Sequence, residues 1–390
     1  MMNTFMDKAV NRFRLVYRKY AGYPVLRDVF SKEGVYKKRL LFEYLAGPFM
    51  ADPENRALFR AHQNWGQNLQ IARILDELGY IIDVVDWSDS RFVPDRHYDA
   101  FIGTGQNGIR IAKLLPSNVP KLGITVGMEA VLGNRNLEER YEDLEERRKC
   151  QLEKHDFAEV FSNDLANYSM IACFGNSFTA SGYKPYNSSV IPFNNSGYEE
   201  TRNTQRDFKH ARRVFMYLAS SRSVRRGLDL LLEIFARHPE YELHICSPLK
   251  REKDFCECYA VELFRTNNIH LHGWVDVGGK LFDELIGVCG AVLMPSSGEG
   301  QPGAVTLCMC AGLIPIISRE CGIDTEDFGI TLEDCSISTI EKTVVDFAGR
   351  PPAWHEDHSR RTHEVALEKF SPEAFERRWR EILKEFLGVA

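Results

Sequence analysis

Short apolar runs alternate with amphipathic stretches along the whole of this chain. In the first half the runs are LLFEYL (40–45), IIDVVDW (81–87), AFIGTG (100–105), KLGITVG (121–127), MIACFGN (170–176) and SSVIPF (188–193). In the second half they are VFMYLAS (214–220), YELHICS (241–247), IHLHGWV (269–275), AVLMPSS (291–297) and LIPIISR (313–319). Runs this short and this continuously apolar suit parallel strands covered on both faces. The segments between them, such as NLQIARILDELG (68–79) and RGLDLLLEIFARHP (226–239), carry helical spacing, so the chain reads as successive βαβ units. The charged stretch 136–159 reads as a helix with a solvated face, with pairs such as Glu145 and Lys149 four residues apart. Residues 194–213 are polar and aperiodic, which marks a linker. Near the end, Ser371 is placed to cap a helix that starts with Pro372. The expected fold class is α/β, with two doubly wound Rossmann-like domains facing across a cleft. Their expected bounds are 1–195 and 214–370, joined by a linker at 196–213, with a C-terminal helix at 371–390 crossing back to the first domain. Sheets of this kind bind ligands at the carboxyl ends of their strands, so two facing sheets place a site between the domains.

Composition narrows the function. The 390 residues are 44% hydrophobic and 27% charged, as in an ordinary globular protein of two domains. A net charge of −6 argues against nucleic acid as a partner. The first 45 residues oppose that sign, with ten Lys/Arg against four Asp/Glu. This basic stretch is a candidate for peripheral contact with an anionic lipid face or a phosphorylated acceptor; a helix packed on its own domain with a solvated basic edge is the favoured alternative. No run of 18 apolar residues occurs and the N-terminus lacks a signal-peptide core, so a cytoplasmic location is expected, with any membrane contact at the inner face. The ten cysteines lie inside strand-like and helix-like runs and are all expected to be reduced. Neither Cys256-x-Cys258 nor Cys308-x-Cys310 has zinc spacing, so no structural metal is expected.

The stretch SSGEGQPGAVTLCMCAGLIPIIS (296–318) concentrates the chemistry. A strand ends, glycines at 298, 300 and 303 turn the chain, and a helix follows from Ala304. Such a turn is either a tight turn alone or one that aims backbone N–H groups and a helix N-terminus at a phosphate, and Glu299 is the one carboxylate among small residues, suited to sugar hydroxyls. Upstream, Ser220 and Ser221 end another strand, and Arg222, Arg225 and Arg226 precede a helix, a position from which arginines either clamp a diphosphate or simply face solvent from a turn. His270 and His272 alternate on a strand, so at most one is expected to face the cleft, with packing the favoured role for both.

Glu-Gly before an apolar helix, AG-x-IPIIS, RGLDLLLEIF upstream and NIHLHGWV (268–275) together resemble the carboxyl domain of GT-B glycosyltransferases of the retaining GT4 type (glycosyltransferase group 1). The resemblance runs from about residue 214 to 345; in the first half it rests on HQNWGQNLQIARILDELGYIIDVVDW (62–87). It implies that Glu299, the first Glu of the family's E-x7-E motif, contacts the donor sugar. Gly298, Gly300, Gln301, Pro302, Gly303 and Ala304 would form the loop around sugar and diphosphate, with Gly66 near the donor phosphates. Arg226 stands at the family's phosphate-binding Lys, and Gly273 and Trp274 border the base. Three departures accompany it. Ser220-Ser221 replaces Gly-Arg, leaving Arg222 as the substitute; Leu307 stands where the second Glu would hold the ribose; and GITVGMEA (123–130) lacks the usual His, with Glu129 nearby as a helix-start carboxylate. The implied activity is retaining, metal-independent transfer of a sugar from a nucleotide-sugar, with no other cofactor, to a glycan or lipid-linked acceptor in polysaccharide biosynthesis. Catalysis is expected to rest on Glu299, Arg222 and Arg226, with Glu299→Ala costing turnover while leaving the fold intact. The alternatives are a nucleotide-sugar-binding protein with altered or lost catalysis, and a sugar-nucleotide epimerase.

Overall fold

The computed structural model describes residues 24–30, 36, 38–52, 54–55, 59, 63–197 and 206–389. The basic N-terminal stretch up to residue 23 and residues 198–205 of the expected linker lie outside this set. The first sheet is built from β1 (Leu26–Val29), β2 (Lys38–Tyr44), β3 (Tyr80–Asp86), β4 (Ala100–Thr104), β5 (Lys121–Thr125), β6 (Met170–Phe174) and β7 (Val190–Phe193), in the order β1-β3-β2-β4-β5-β6-β7. All its pairings are parallel except β1 with β3. The second sheet is wholly parallel: β8 (Val214–Leu218), β9 (Glu242–Cys246), β10 (Ile269–Leu271), β11 (Ala291–Met294), β12 (Ile314–Ser318) and β13 (Ile330–Leu332), in the order β10-β9-β8-β11-β12-β13. The two parallel-sheet layers with helices on their faces bear out the expected α/β class.

Apolar strands buried on both faces supply the cores. Val214, Phe215, Met216 and Tyr217 of β8 are all at most 1% exposed, and Leu40, Leu41 and Phe42 of β2 are fully buried. The final helix, Pro372–Leu387, starts with the Ser371 hydroxyl accepting the Ala374 N–H at 3.1 Å. Its apolar stripe of Phe375, Trp379, Ile382, Leu383 and Phe386 joins the core of the first sheet, with Trp379 5.0 Å from Phe193 between ring centroids. Each such side chain contributes about 1.5–3 kcal/mol by leaving water, so the chain's last helix fastens the first half to the second.

The charged stretch 136–159 departs from the helix expected there. The helix runs Ala130–Arg148 and ends at Lys149 in the left-handed region (φ 54°); residues 150–161 are irregular. Nor is its inner face solvated. Leu137, Tyr141 and Leu144 are at most 1% exposed and pack into the core of the second sheet. Arg147 reaches the buried Asp229 at 2.7 Å, and Arg148 reaches Glu262 at 2.8 Å. A helix from the first half is therefore pinned to the second. The expectation of ten reduced cysteines is also corrected at this point: Cys150, just past the helix end, is disulfide-bonded to Cys258, 108 residues away. The other eight are free. Sequence separation hid the pair, because only the docking of Ala130–Arg148 brings Cys150 to the helix Lys253–Cys258.

Candidate functional site

A cleft of about 440 Å³ opens at the carboxyl ends of the second sheet's strands. Leu218, Ala219 and Ser220 follow β8, Cys246 ends β9, Met294 ends β11, and Gln63 reaches in from the first half. Of the residues expected at a donor site, Arg226, Trp274, Glu299, Gln301, Pro302, Gly303, Ala304 and Leu307 line this one cleft. Gly66, Ser221, Arg222, Gly273, Gly298 and Gly300 stand outside its lining.

Glu299 and Arg226 form its charged floor. Arg226 Nε donates to Glu299 Oε1 at 2.8 Å, and the two side chains are only 13% and 15% exposed. Arg226 is steadied from behind by the Ser221 carbonyl at 3.1 Å. Burial alone would push the Glu299 carboxyl up; Arg226, with Arg222 and Arg225 behind it, outweighs burial and holds it below the ordinary carboxylate value. The chain after β8 carries these arginines because Gly227, at φ 72°, turns it into the helix Leu228–Phe235. A Cβ there would stand 2.4 Å from the Pro295 carbonyl, so only glycine fits.

The three arginines have different neighbours. Arg225 is 6% exposed and ties two loops together, donating to the Gly298 carbonyl at 3.0 Å and the Asp156 carbonyl at 2.6 Å. Arg222 is half-exposed, sits at φ 68°, and turns to the Asp156 carboxylate at 3.5 Å. Its backbone N–H and that of Ser223 donate to the two oxygens of Glu252, at 3.1 and 2.9 Å. Two N–H groups of the turn are thus already taken by a carboxylate that no local motif singles out.

The glycines of the loop answer to close packing more than to ligand access. None of Gly298, Gly300 and Gly303 has positive φ. A Cβ on Gly300 would lie 3.0 Å from Gly127 Cα and from the Phe174 carbonyl oxygen, both in the first half. One on Gly303 would overlap Gln63 Oε1 at 1.8 Å. Gln301 bridges in the same sense, donating to Asn194 Oδ1 and the Gly322 carbonyl, both at 3.0 Å, and accepting the Asn195 N–H. Small residues here let the two halves meet over the cleft. The helix Gly303–Cys310 then begins at the cleft wall, with Gly303 and Ala304 in the lining.

Leu307 and Trp274 give the other wall its apolar character, Trp274 being 60% exposed behind Gly273 at φ 69°. Gly66 lies inside the helix Gln63–Glu77, and it is Gln63, one turn earlier, that reaches the cleft. Glu129 is a helix cap: its carboxylate accepts the N–H groups of Val131 and Leu132 at 3.1 and 3.0 Å and the Ser162 hydroxyl. His270 in β10 and His272 just after it lie on one side, since residues two apart on an extended chain point the same way, and both rings stack on His244. Neither lines the cleft, in keeping with packing as the favoured role, although the two side chains share a face instead of alternating.

No family model matches the chain, and no curated protein matches it. Solved structures do. A sucrose-phosphate synthase from Thermosynechococcus elongatus superposes with a TM-score of 0.64 at 12% identity, over 90% of this chain and 100% of that one. HepE from Anabaena, in complex with UDP and glucose, gives 0.57 at 11% identity over the same shares. The chain has the GT-B fold. A third match, TarM, gives 0.52 at 13% identity over 74% of this chain, which spans about half of TarM's length (54%). At these identities the likeness carries the fold alone.

Within the GT-B frame, the residues that sequence reasoning missed are informative. Asp276, Val275 and Val277 line the cleft just after the Gly273–Trp274 turn, and Gln63 and Ser220 each stand within a few residues of an expected one. Glu252 and Asp156 carried no local signal. Each acts on an arginine of the turn after β8 from at least 30 residues away.

Proposed function

We propose that the cleft binds a nucleotide-sugar and that the protein transfers the sugar, with retention, to a glycan or lipid-linked acceptor. The observation that carries this reading is the near-buried Arg226–Glu299 pair, set beside the start of the helix Gly303–Cys310 at the strand ends of a GT-B fold. In this reading the sugar's C1–O bond to the diphosphate breaks through an oxocarbenium-like state. The acceptor oxygen bonds to C1 on the same face, and its proton passes to a leaving phosphate oxygen. Arg226 and the helix start stabilise charge growing on the diphosphate, and half-exposed Arg222 swings from Asp156 to join them. Glu299 accepts hydrogen bonds from the sugar hydroxyls, and Trp274 stacks on the base. This chemistry needs no metal at the reacting bond. The solved complexes of HepE with UDP and with UDP-glucose favour a uridine donor.

A second reading has support from two observations. Leu307 offers the ribose no acceptor, and Glu252 already occupies two N–H groups of the turn, so a protein that binds nucleotide-sugars without turning them over is the alternative. Phosphorus NMR of each candidate sugar nucleotide incubated with the protein separates these. Release of free nucleoside diphosphate supports transfer, including slow transfer to water. A new sugar nucleotide isomer would mean an epimerase, and an unchanged spectrum over bound donor would favour the non-catalytic reading.

A further inference from the structure

Away from the cleft, a cluster of histidines occupies one face at the free edge of the second sheet. β10 is the edge strand and pairs with β9 in the register His270 to His244. Residues two apart share a face, so Glu242 and His244 of β9 meet His270 and His272 from β10 and the turn after it. The His244 ring lies 4.7 Å from His270 and 5.1 Å from His272 between centroids. Glu242 Oε2 stands 3.4 Å from His270 Nε2 and 3.7 Å from His244 Nε2, and one ligand atom from each of the three residues lies within 4.8 Å of the other two.

These separations have a chemical meaning. Ligands held tetrahedrally about 2.0–2.1 Å from Zn²⁺ are about 3.3–3.5 Å apart. His270 Nε2 is buried without a hydrogen-bond partner despite its nearness to Glu242, a cost that a ligand would remove. His244 Nδ1 is already engaged by His272 Nε2 at 2.9 Å, which leaves His244 Nε2 facing Glu242. This is how a metal-binding imidazole is usually oriented, by a hydrogen bond at its other nitrogen. The side chains of Glu242 and His270 are 38% and 37% exposed, so the cluster lies close to solvent.

We propose that Glu242, His244 and His270 bind one divalent transition-metal ion, best matched by Zn²⁺, with water in the fourth position and His272 as the positioning residue. Two imidazoles and one carboxylate suit Zn²⁺ and its transition-metal neighbours and not Ca²⁺ or Mg²⁺. None of the three ligands lines the cleft, so the ion stands apart from the transfer site. It clamps β10 to β9 just before both strands deliver residues to the cleft, Cys246 from one and Trp274 with Val275 from the other. Cysteine spacing pointed away from a metal; the legible signal was instead E-x-H in one strand and H-x-H beginning in the next.

The test is titration of the full chain, first dialysed against a chelator, with Co²⁺ and then Zn²⁺. One equivalent of Co²⁺ should give the visible absorption of a tetrahedral complex, and one equivalent of Zn²⁺ should displace it and raise the melting temperature. His270→Ala and the near-isosteric, surface-tolerant Glu242→Gln should abolish uptake while keeping the metal-free melting temperature and circular dichroism. His272→Ala should weaken binding about 10–100-fold, and His272→Gln, whose amide oxygen accepts the His244 N–H, should restore it. Failure of the wild type to take up one equivalent overturns the proposal. So does uptake unchanged in both Glu242→Gln and His270→Ala, or a thiolate-to-cobalt charge-transfer band that identifies cysteines as the ligands.

Discussion

Replacing Glu299 with Gln keeps the shape of the cleft floor and removes the one negative charge that meets Arg226 there. The two groups are 2.8 Å apart with 13% and 15% of their side chains exposed. At that distance an effective dielectric of about 20 gives a gross attraction of about 6 kcal/mol. Desolvation of both groups consumes much of it, and breaking a buried pair from one side typically costs about 3–5 kcal/mol, because the partner is left buried and uncompensated. Arg222 and Arg225 add to the positive charge that Glu299 offsets, which places the expected loss for Glu299→Gln toward the upper part of that range, about 4 kcal/mol. Arg226→Met should cost a comparable amount, and the double variant much less than their sum, with a coupling of about 1.5 kcal/mol or more. The pH dependence has a definite sign. The Glu299 carboxyl titrates below its ordinary value of 4.5, so its contribution is complete above that pH and disappears as the pH falls through the folded value. The gap between wild type and Glu299→Gln should accordingly close in acid. Urea unfolding at several pH values, read as a midpoint shift at unchanged slope, measures all of this. Additive single variants, each costing under about 0.5 kcal/mol, would show that the pair behaves as a surface contact and refute the reasoning. The sequence alone had suggested that Glu299 could be removed with the fold intact; its ion pair makes it a structural residue as well.

Peptide mapping without reductant should recover Cys150 linked to Cys258, and reduction should lower stability by up to about 4–5 kcal/mol for a loop of this length; two alkylatable thiols in the native protein would contradict the bond. Glu43 is fully buried between the Thr104 N–H at 2.7 Å and the Asn107 amide at 3.2 Å, and burial pushes its carboxyl up to about 8. A raised carboxyl stabilises the fold below pH 4.5 and loses that contribution as the pH rises through 8, so wild type should weaken across this window while Glu43→Gln loses the slope; parallel profiles would refute it. Gly300→Ala should cost about 1–3 kcal/mol by overpacking against Gly127 and Phe174, checked by thermal unfolding, and a neutral effect would mean the two halves do not meet there. Leu307→Glu should tighten a nucleoside diphosphate about tenfold in calorimetry by restoring a charged acceptor to the cleft wall, and unchanged affinity would place the ribose elsewhere.

What could be read from the sequence follows the physics of burial. All eleven strands expected from apolar runs are present, because parallel strands covered on both faces leave an unbroken apolar trace. Among the described residues two strands escaped, β1 and β13, of four and three residues at the sheet edges, where one side needs no partner and the pattern is short. Glu299, Arg226, Gln301 and Leu307 converge because strand-to-helix turns in such sheets share one end. Arg222 did not, because Asp156 draws it away, and no local pattern records a contact across 66 residues. The same holds for Glu252 and for Cys150 with Cys258. The charged helix misled for a related reason: its polar residues outnumber Leu137, Tyr141 and Leu144, yet those three and its arginines are what dock it on the second sheet.

The most direct test is a thermal-shift and calorimetric panel of UDP, GDP, ADP, dTDP and CMP with their sugar conjugates, on wild type, Arg226→Met and Trp274→Ala. One sugar nucleotide should bind more tightly than its bare nucleotide, and at about 100 times its dissociation constant it should stabilise the wild type by about 2.7 kcal/mol. Both variants should lose most of that shift. Wild type that responds to none of these compounds would contradict a nucleotide-sugar site in this cleft.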